Sequence, residues 1–203
     1  MAERRGPRAG APSRQDVVAA AVALLLQHGP EAVSVRRVAE AVGVSRQVVY
    51  SRFGGKAGLI RALHDEGFGR LEAALAAVTA PVGTDEHVGQ LAHRYREAAS
   101  DAPALFDVMF GHPFPEFVRD LASSRVAFVS FEHLVGAART WLAANGGDAA
   151  DASTLARSLW AVVHGVVSLE RTGHLTARRA TDQLDDAIGR VLAGSAPRVD
   201  GRA

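Results

Sequence analysis

Along most of the chain apolar residues recur every three or four positions, the period of helices that turn one face to a core, and this pattern predicts an all-helical protein. Ser13 is placed to cap a first helix, with Asp16 three residues on, favourable near the positive helix terminus. In that helix Val17, Ala21, Leu24 and His28 share one side, Val18, Val22 and Leu25 lie beside them, and Gly29-Pro30 ends the run. A second helix starts at the Ser34 cap and extends to about Val42, burying Val38, Ala39 and Val42. Gly43 can take the left-handed conformation that closes it, Val44 supplies the apolar contact that follows such a cap, and Ser45 caps a third helix at once. A helix of about eight residues, a turn containing glycine and another short helix match a helix-turn-helix. In the third helix Val49 and Phe53 face inward, leaving Arg46, Gln47, Tyr50 and Arg52 to point largely outward. A surface helix seldom exposes a tyrosine without reason, so residues 45–53 form the candidate recognition helix.

A long helix from Lys56 to about Val78 carries Leu59, Ile60, Leu63, Gly67, Leu71, Leu75 and Val78 on its apolar side and ends before Pro81 and Gly83. The next, roughly 85–100, buries Val88, Leu91, Ala92 and Tyr95. Seven of the twelve aromatic residues then crowd between 95 and 131, together with Met109 and the breaker run Gly111-His112-Pro113. Such a cluster is either packed core or the wall of a cavity for an apolar molecule. From about 148 to 171, Leu155, Leu159, Val162, Val166 and Leu169 form one stripe, and Ala156, Trp160, Val163 and Val167 a second. A helix apolar on two sides needs two partners, its own domain and another subunit. The last helix, about 176–193, adds Ala180, Leu184, Ala187 and Val191. The organisation expected is a disordered arm (1–12), a head (13–73), a body (74–195) and a disordered tail (196–203), with about nine helices in all.

Composition supports small, closely packed helices: 39 of the 203 residues are Ala, and aromatics make up 6%. With no cysteine there can be no disulfide, thiolate nucleophile or iron–sulfur site. Among the histidines, His87, His93 and His112 with Glu116 do not fall at the spacing of paired ligands, apart from His112 and Glu116 across a proline, and no metal or cofactor is expected. No nucleophile with an orienting base and no phosphate-binding glycine loop is found, so an enzyme is not expected. The longest apolar run, Val17 to Leu26, is well short of the roughly 18 residues of a membrane span. It also lacks a cleavage site, which points to a cytoplasmic protein without a membrane partner. The formal charge of +1 conceals an asymmetry. Residues 1–61 hold ten basic and four acidic residues, a balance of +6, and the remainder 13 and 18, a balance of −5. A basic head on an acidic body suggests a nucleic-acid-binding module attached to something else. The single lysine, Lys56, lies in that head among 22 arginines.

The run from Ser13 to Leu63 resembles the DNA-binding domain of TetR-family transcriptional regulators, above all in Val38-Ala39-Glu40-Ala41-Val42-Gly43-Val44-Ser45, Val49-Tyr50, Phe53 and Gly54-Gly55-Lys56-Ala57-Gly58-Leu59. The resemblance implies a three-helix head, a linking fourth helix, a ligand-binding body and a homodimer that usually represses a double-stranded DNA operator until a small-molecule effector releases it. It implies that Lys56 holds a phosphate, that Tyr50 packs on and bonds to the backbone, that Arg36 reaches a base or phosphate, and that the Ser34 or Ser45 hydroxyls bond phosphates. Arg46 and Gln47 fall at base-reading positions, suited to guanine and adenine respectively; Val48 can touch a thymine methyl, and Arg52, a turn further on, is a phosphate ligand. The body's pocket, implied by the same resemblance, has Leu71, Leu91, Tyr95, Phe106, Met109, Phe110, Phe128, Trp160 and His164 as candidate lining. Trp160, His164 and Gly165 resemble a short Trp-xxx-His-Gly signature of one branch of the family's C-terminal domains; a histidine bonded inside the bundle beside a small residue is the alternative there. Leu155, Leu159, Val162, Val166, Leu184 and Val191 are the candidate dimer contacts, in a four-helix interface about a two-fold axis. A helical sensor or carrier with a non-functional head, or an activator, are the competing readings.

Overall fold

The computed structural model describes residues 12–118 and 120–196; residues 1–11 of the expected arm and 197–203 of the expected tail lie outside the described residues. Ser13 and Asp16 form a reciprocal cap: the Asp16 amide donates to Ser13 Oγ at 3.1 Å and the Ser13 amide to Asp16 Oδ2 at 2.6 Å. This cap satisfies amides that the first turn cannot pair internally and starts α1 (Arg14–His28). After a short 3₁₀ turn at Pro30–Ala32 come α2 (Val35–Val42), α3 (Arg46–Phe53) and α4 (Lys56–Ala76). The body follows as α5 (Asp85–Asp101), α6 (Pro103–Phe110), α7 (Leu121–Ala144), α8 (Ala152–Arg171) and α9 (Ala177–Ser195). Among the described residues there are nine helices and no strand. None is long and apolar enough to cross a membrane.

Two apolar cores share α4. Its first half gives Leu59, Ile60 and Leu63 to the head, where they meet Val17, Leu25, Val38 and Val49; its second half gives Phe68, Leu71 and Leu75 to the body. The head is not closed by its own segment: Leu105 and Val108 of α6, and Phe114 beyond it, complete its core. Gly67 makes that contact possible, because a side chain there would meet the Met109 Cγ and Sδ at 2.7 Å. In the body Arg96 binds Glu170 through two bonds of 2.6 Å and also reaches the Thr181 hydroxyl and the Ala177 carbonyl, tying α5 to α8 and to the start of α9. A planar guanidinium suits this fork-to-fork geometry.

Two expectations are corrected by the packing. His28, assigned to the apolar side of α1, is exposed. More consequentially, four of the six candidate dimer contacts face inward: Leu155, Leu159, Val166 and Leu184 are buried in the protomer's own core against α7 and between α8 and α9. Only Val162 and Val191 remain half-buried at the edge. The outer side of α8 instead presents Trp160 and Leu169, 40% and 46% exposed, with Ala161 and Gly165 between them.

Candidate nucleic-acid interface and cavity

Gly43 ends α2 in the left-handed region (φ 69°, ψ 32°), where a residue with a side chain is strained. The Gly43 amide donates to the Glu40 carbonyl at 3.2 Å and the Val44 amide to the Ala39 carbonyl at 3.0 Å, so the turn is closed by its own backbone. Val49 anchors α3 in the core, and Arg46 and Gln47 project into solvent on the first turn of the helix. Tyr50 is 51% exposed. Val48 is half-buried, which leaves part of its side chain on the same surface. The Ser34 hydroxyl accepts the Arg37 amide at 3.3 Å as the α2 cap, whereas the Ser45 hydroxyl makes no capping bond. Arg36 is exposed and paired with Glu40 at 3.0 Å, and Arg52 donates to the Pro12 carbonyl.

The α3–α4 junction is tight. A Cβ at Gly58 would lie 1.6 Å from the Phe53 carbonyl oxygen, so a glycine is required for α4 to begin this close to the end of α3. That approach sets Lys56 at the first position of α4. Its Nζ is 2.5 Å from Glu116 and 5.6 Å from the centre of the Phe114 ring, and one turn along Arg61 lies 2.5 Å from Asp120. The Lys56 ammonium holds the Glu116 carboxyl below its ordinary range. The Ser123 amide, which Asp120 caps at the start of α7, is the main reason that carboxyl is also lowered, with Arg61 contributing. Glu116, weighed with His112 as a metal ligand, is thus the partner of Lys56. Among the described residues no three His, Cys, Asp or Glu side chains converge on a metal position.

Between α4, α5, α7 and α8 lies a cavity of about 230 Å³. Of the nine candidate lining residues, Leu71, Leu91, Tyr95, Met109, Phe110 and Trp160 do line it. Three do not. Phe128 points outward, 59% exposed; Phe106 stacks on His164 behind the wall with ring centres 5.6 Å apart. The His164 Nδ1 is bonded to the Tyr95 hydroxyl at 2.9 Å. Burial, aided by Arg171, holds the His164 imidazole below its usual value, and burial pushes the Tyr95 hydroxyl up, opposed in part by a hydrogen bond with Trp160. Sequence reasoning missed His64, Phe68, Ser130 and Phe131 in the wall. Phe131 belonged to the aromatic cluster already noted, and His64 and Phe68 lie on the same face of α4 as Leu71, a helical spacing that could have found them. Nothing in the sequence marked Ser130. His64 is fully buried, and its Nδ1 is 3.2 Å from Asp65.

A helix-turn-helix head with an exposed third helix, mounted on a helical body with an apolar cavity, is the build of a DNA-binding regulator. The chain belongs to the TetR family: "Bacterial regulatory proteins, tetR family" matches residues 17–63, and "Tetracyclin repressor-like, C-terminal domain" matches residues 88–193. Proteins of this family are transcriptional regulators, not enzymes. No curated protein matches the chain. Among solved structures it is similar to a protein of unknown function from Rhodococcus sp. RHA1 (TM-score 0.80, 24% identity, covering 95% of this chain and 100% of that one). A TetR-like transcriptional regulator from the same strain matches with TM-score 0.65 and 20% identity over 94% of this chain and 100% of that one. A TetR variant from Acinetobacter baumannii AYE in complex with minocycline matches with TM-score 0.63 and 19% identity over 90% and 96%. At these identities the likeness shows the fold.

Proposed function

We propose that this protein is a ligand-responsive repressor that acts in the cytoplasm as a homodimer. Its two α3 helices enter successive major grooves of a pseudo-palindromic operator, with Arg46 and Gln47 reading bases and Ser34, Ser45, Arg36, Arg52 and Lys56 binding the backbone. The observation that carries the reading is α4 itself. Its 21 residues span roughly 31 Å at 1.5 Å per residue. Lys56 stands at the head end of this one rigid helix, and His64, Phe68 and Leu71 stand in the cavity wall. A small, mostly apolar molecule in the cavity that favours another position of α4 therefore changes where the head is held. To empty the operator, that preference must amount to a few kcal/mol.

For the dimer, the outer faces of α8 and α9 are the contact surface, with Trp160, Ala161, Gly165 and Leu169 in place of the inward-facing leucines. Small residues there let two helices approach closely.

The test is binding to the DNA upstream of the protein's own coding region, followed by titration with candidate effectors. Sequence-selective retention supports the regulator; its absence would favour a helical carrier with a non-functional head. Arg46→Ala and Gln47→Ala are expected to relax preference at particular operator positions, and a uniform loss on all sequences would limit both residues to phosphate contacts. An effector that leaves DNA affinity unchanged at saturation is not the inducer.

A further inference from the structure

The cavity's chemistry narrows what can occupy it. Its walls carry no Asp, Glu, Lys or Arg side chain, and their two histidines are His64, fully buried, and His133, exposed. A formal charge brought among these walls would therefore lose its hydration without a permanently charged partner, which is strongly unfavourable. Behind the wall residue His64 lies the Asp65 carboxylate, 3.2 Å from its Nδ1, which disfavours an anion further. Among the aliphatic side chains of the wall stand five aromatic rings in mutual contact: Phe110 lies 5.4 Å from Phe68, 6.2 Å from Tyr95 and 6.4 Å from Trp160, and Trp160 lies 6.0 Å from Phe131. Offset and edge contacts with such rings favour a planar aromatic guest over a flexible chain. Size agrees, because a cavity of roughly 150 Å³ holds a benzene ring, and this one, at about 230 Å³, has room for a substituted ring or a fused pair.

The polar side chains in the wall are few: His64, Tyr95, Ser130, His133 and the Trp160 indole. The Tyr95 hydroxyl is occupied by His164. Ser130, on the cavity side of α7, is buried and its Oγ has no hydrogen-bond partner. Buried hydroxyls are normally satisfied, and one left open in a cavity wall is a position for a ligand's polar group.

We propose that the cavity takes an uncharged aromatic molecule bearing one hydrogen-bonding group, such as a hydroxyl or amide, that meets Ser130 Oγ. This rests on the cavity being the effector site, and the ligand class is read without DNA so that the two can fail separately. Three probes of one shape discriminate: 2-naphthol, naphthalene and 2-naphthoate, titrated into the full-length protein by calorimetry. The expected order is 2-naphthol about tenfold tighter than naphthalene, with 2-naphthoate about a hundredfold weaker than 2-naphthol. Ser130→Ala should bring 2-naphthol down to the naphthalene level while leaving naphthalene unchanged, and the naphthalene arm reports that the cavity has stayed intact. Equal binding of the naphthoate, no binding of any probe, or a naphthol preference that survives Ser130→Ala would each overturn the proposal. A naphthol that binds as expected but leaves operator affinity unaltered removes it as inducer and leaves the ligand class standing.

Discussion

A methyl group on Gly58 would sit inside the Phe53 carbonyl, and a rotation of His164 would break its bond to Tyr95; the two residues differ in how far away their reasons lie. Gly58 answers to a neighbour five positions back, and Ser13 to Asp16 three positions on, so both could be read locally. His164 answers to a hydroxyl 69 positions earlier in the chain, and for that reason the sequence left two readings of it open. In the fold it is a bonded element of the wall's backing and does not line the cavity. Its titration gives a test. Because burial lowers the folded-state value below the unfolded one, the unfolded chain takes up a proton first as pH falls. The stabilising contribution is therefore full above the usual histidine range and is lost below it, down through the depressed folded value. Melting temperature should drop between about pH 7.5 and about pH 5.5, and the drop should be smaller in His164→Asn. Parallel pH profiles for the two proteins would assign the effect elsewhere.

At the scale of helices, periodicity found the elements but not which face each would turn to which neighbour. α1 to α4 were placed to within a residue or two because start and stop signals bracket them: the Ser13 and Ser34 caps, Ser45 at the N-cap position without a capping bond, the glycines and the pyrrolidine of Pro30. α8 is different. Its two stripes drift around a 3.6-residue helix, and both Leu155-Leu159 and Val163-Val167 end up facing α7 or α9. A carboxylate at Leu159 would accordingly damage the body's core rather than separate subunits; even truncation to Ala at such positions costs about 2–5 kcal/mol. Gly165 is the informative position on the outer face, since a Cβ there meets nothing within 4 Å in the protomer. Gly165→Arg should keep its helical content yet sediment as a monomer, with a melting temperature that no longer depends on protein concentration. A dimer unaffected by this charge would move the interface off α8.

Across the whole molecule the charge asymmetry acquires a geometry. The acidic body reaches the basic head through Glu116 on Lys56 and Asp120 on Arg61, from the segment that leads into α7 and hence into the cavity wall. Pairs exposed on both sides, as these are, contribute little stability. Lys56 cannot, however, neutralise Glu116 and a phosphate equally well. Glu116→Gln is expected to raise operator affinity about two- to fivefold at low salt, with the gap closing as salt screens it. No change on DNA binding would show that the carboxylate yields Lys56 without cost.

The sequence by itself determined the all-helical class, the helix-turn-helix with its outward Arg46, Gln47 and Tyr50, the lone lysine at the head of α4, and the split of charge. Each of these depends on residues within a turn or two of one another, where the backbone period and cap chemistry decide the outcome. Only the tertiary structure decided that α6 closes the head's core, that Ser130 opens into the cavity while Phe106 and Phe128 do not, and that Glu116 lies on Lys56. Those contacts join positions tens of residues apart, and the way the helices share their apolar faces, rather than any local preference, brings them together.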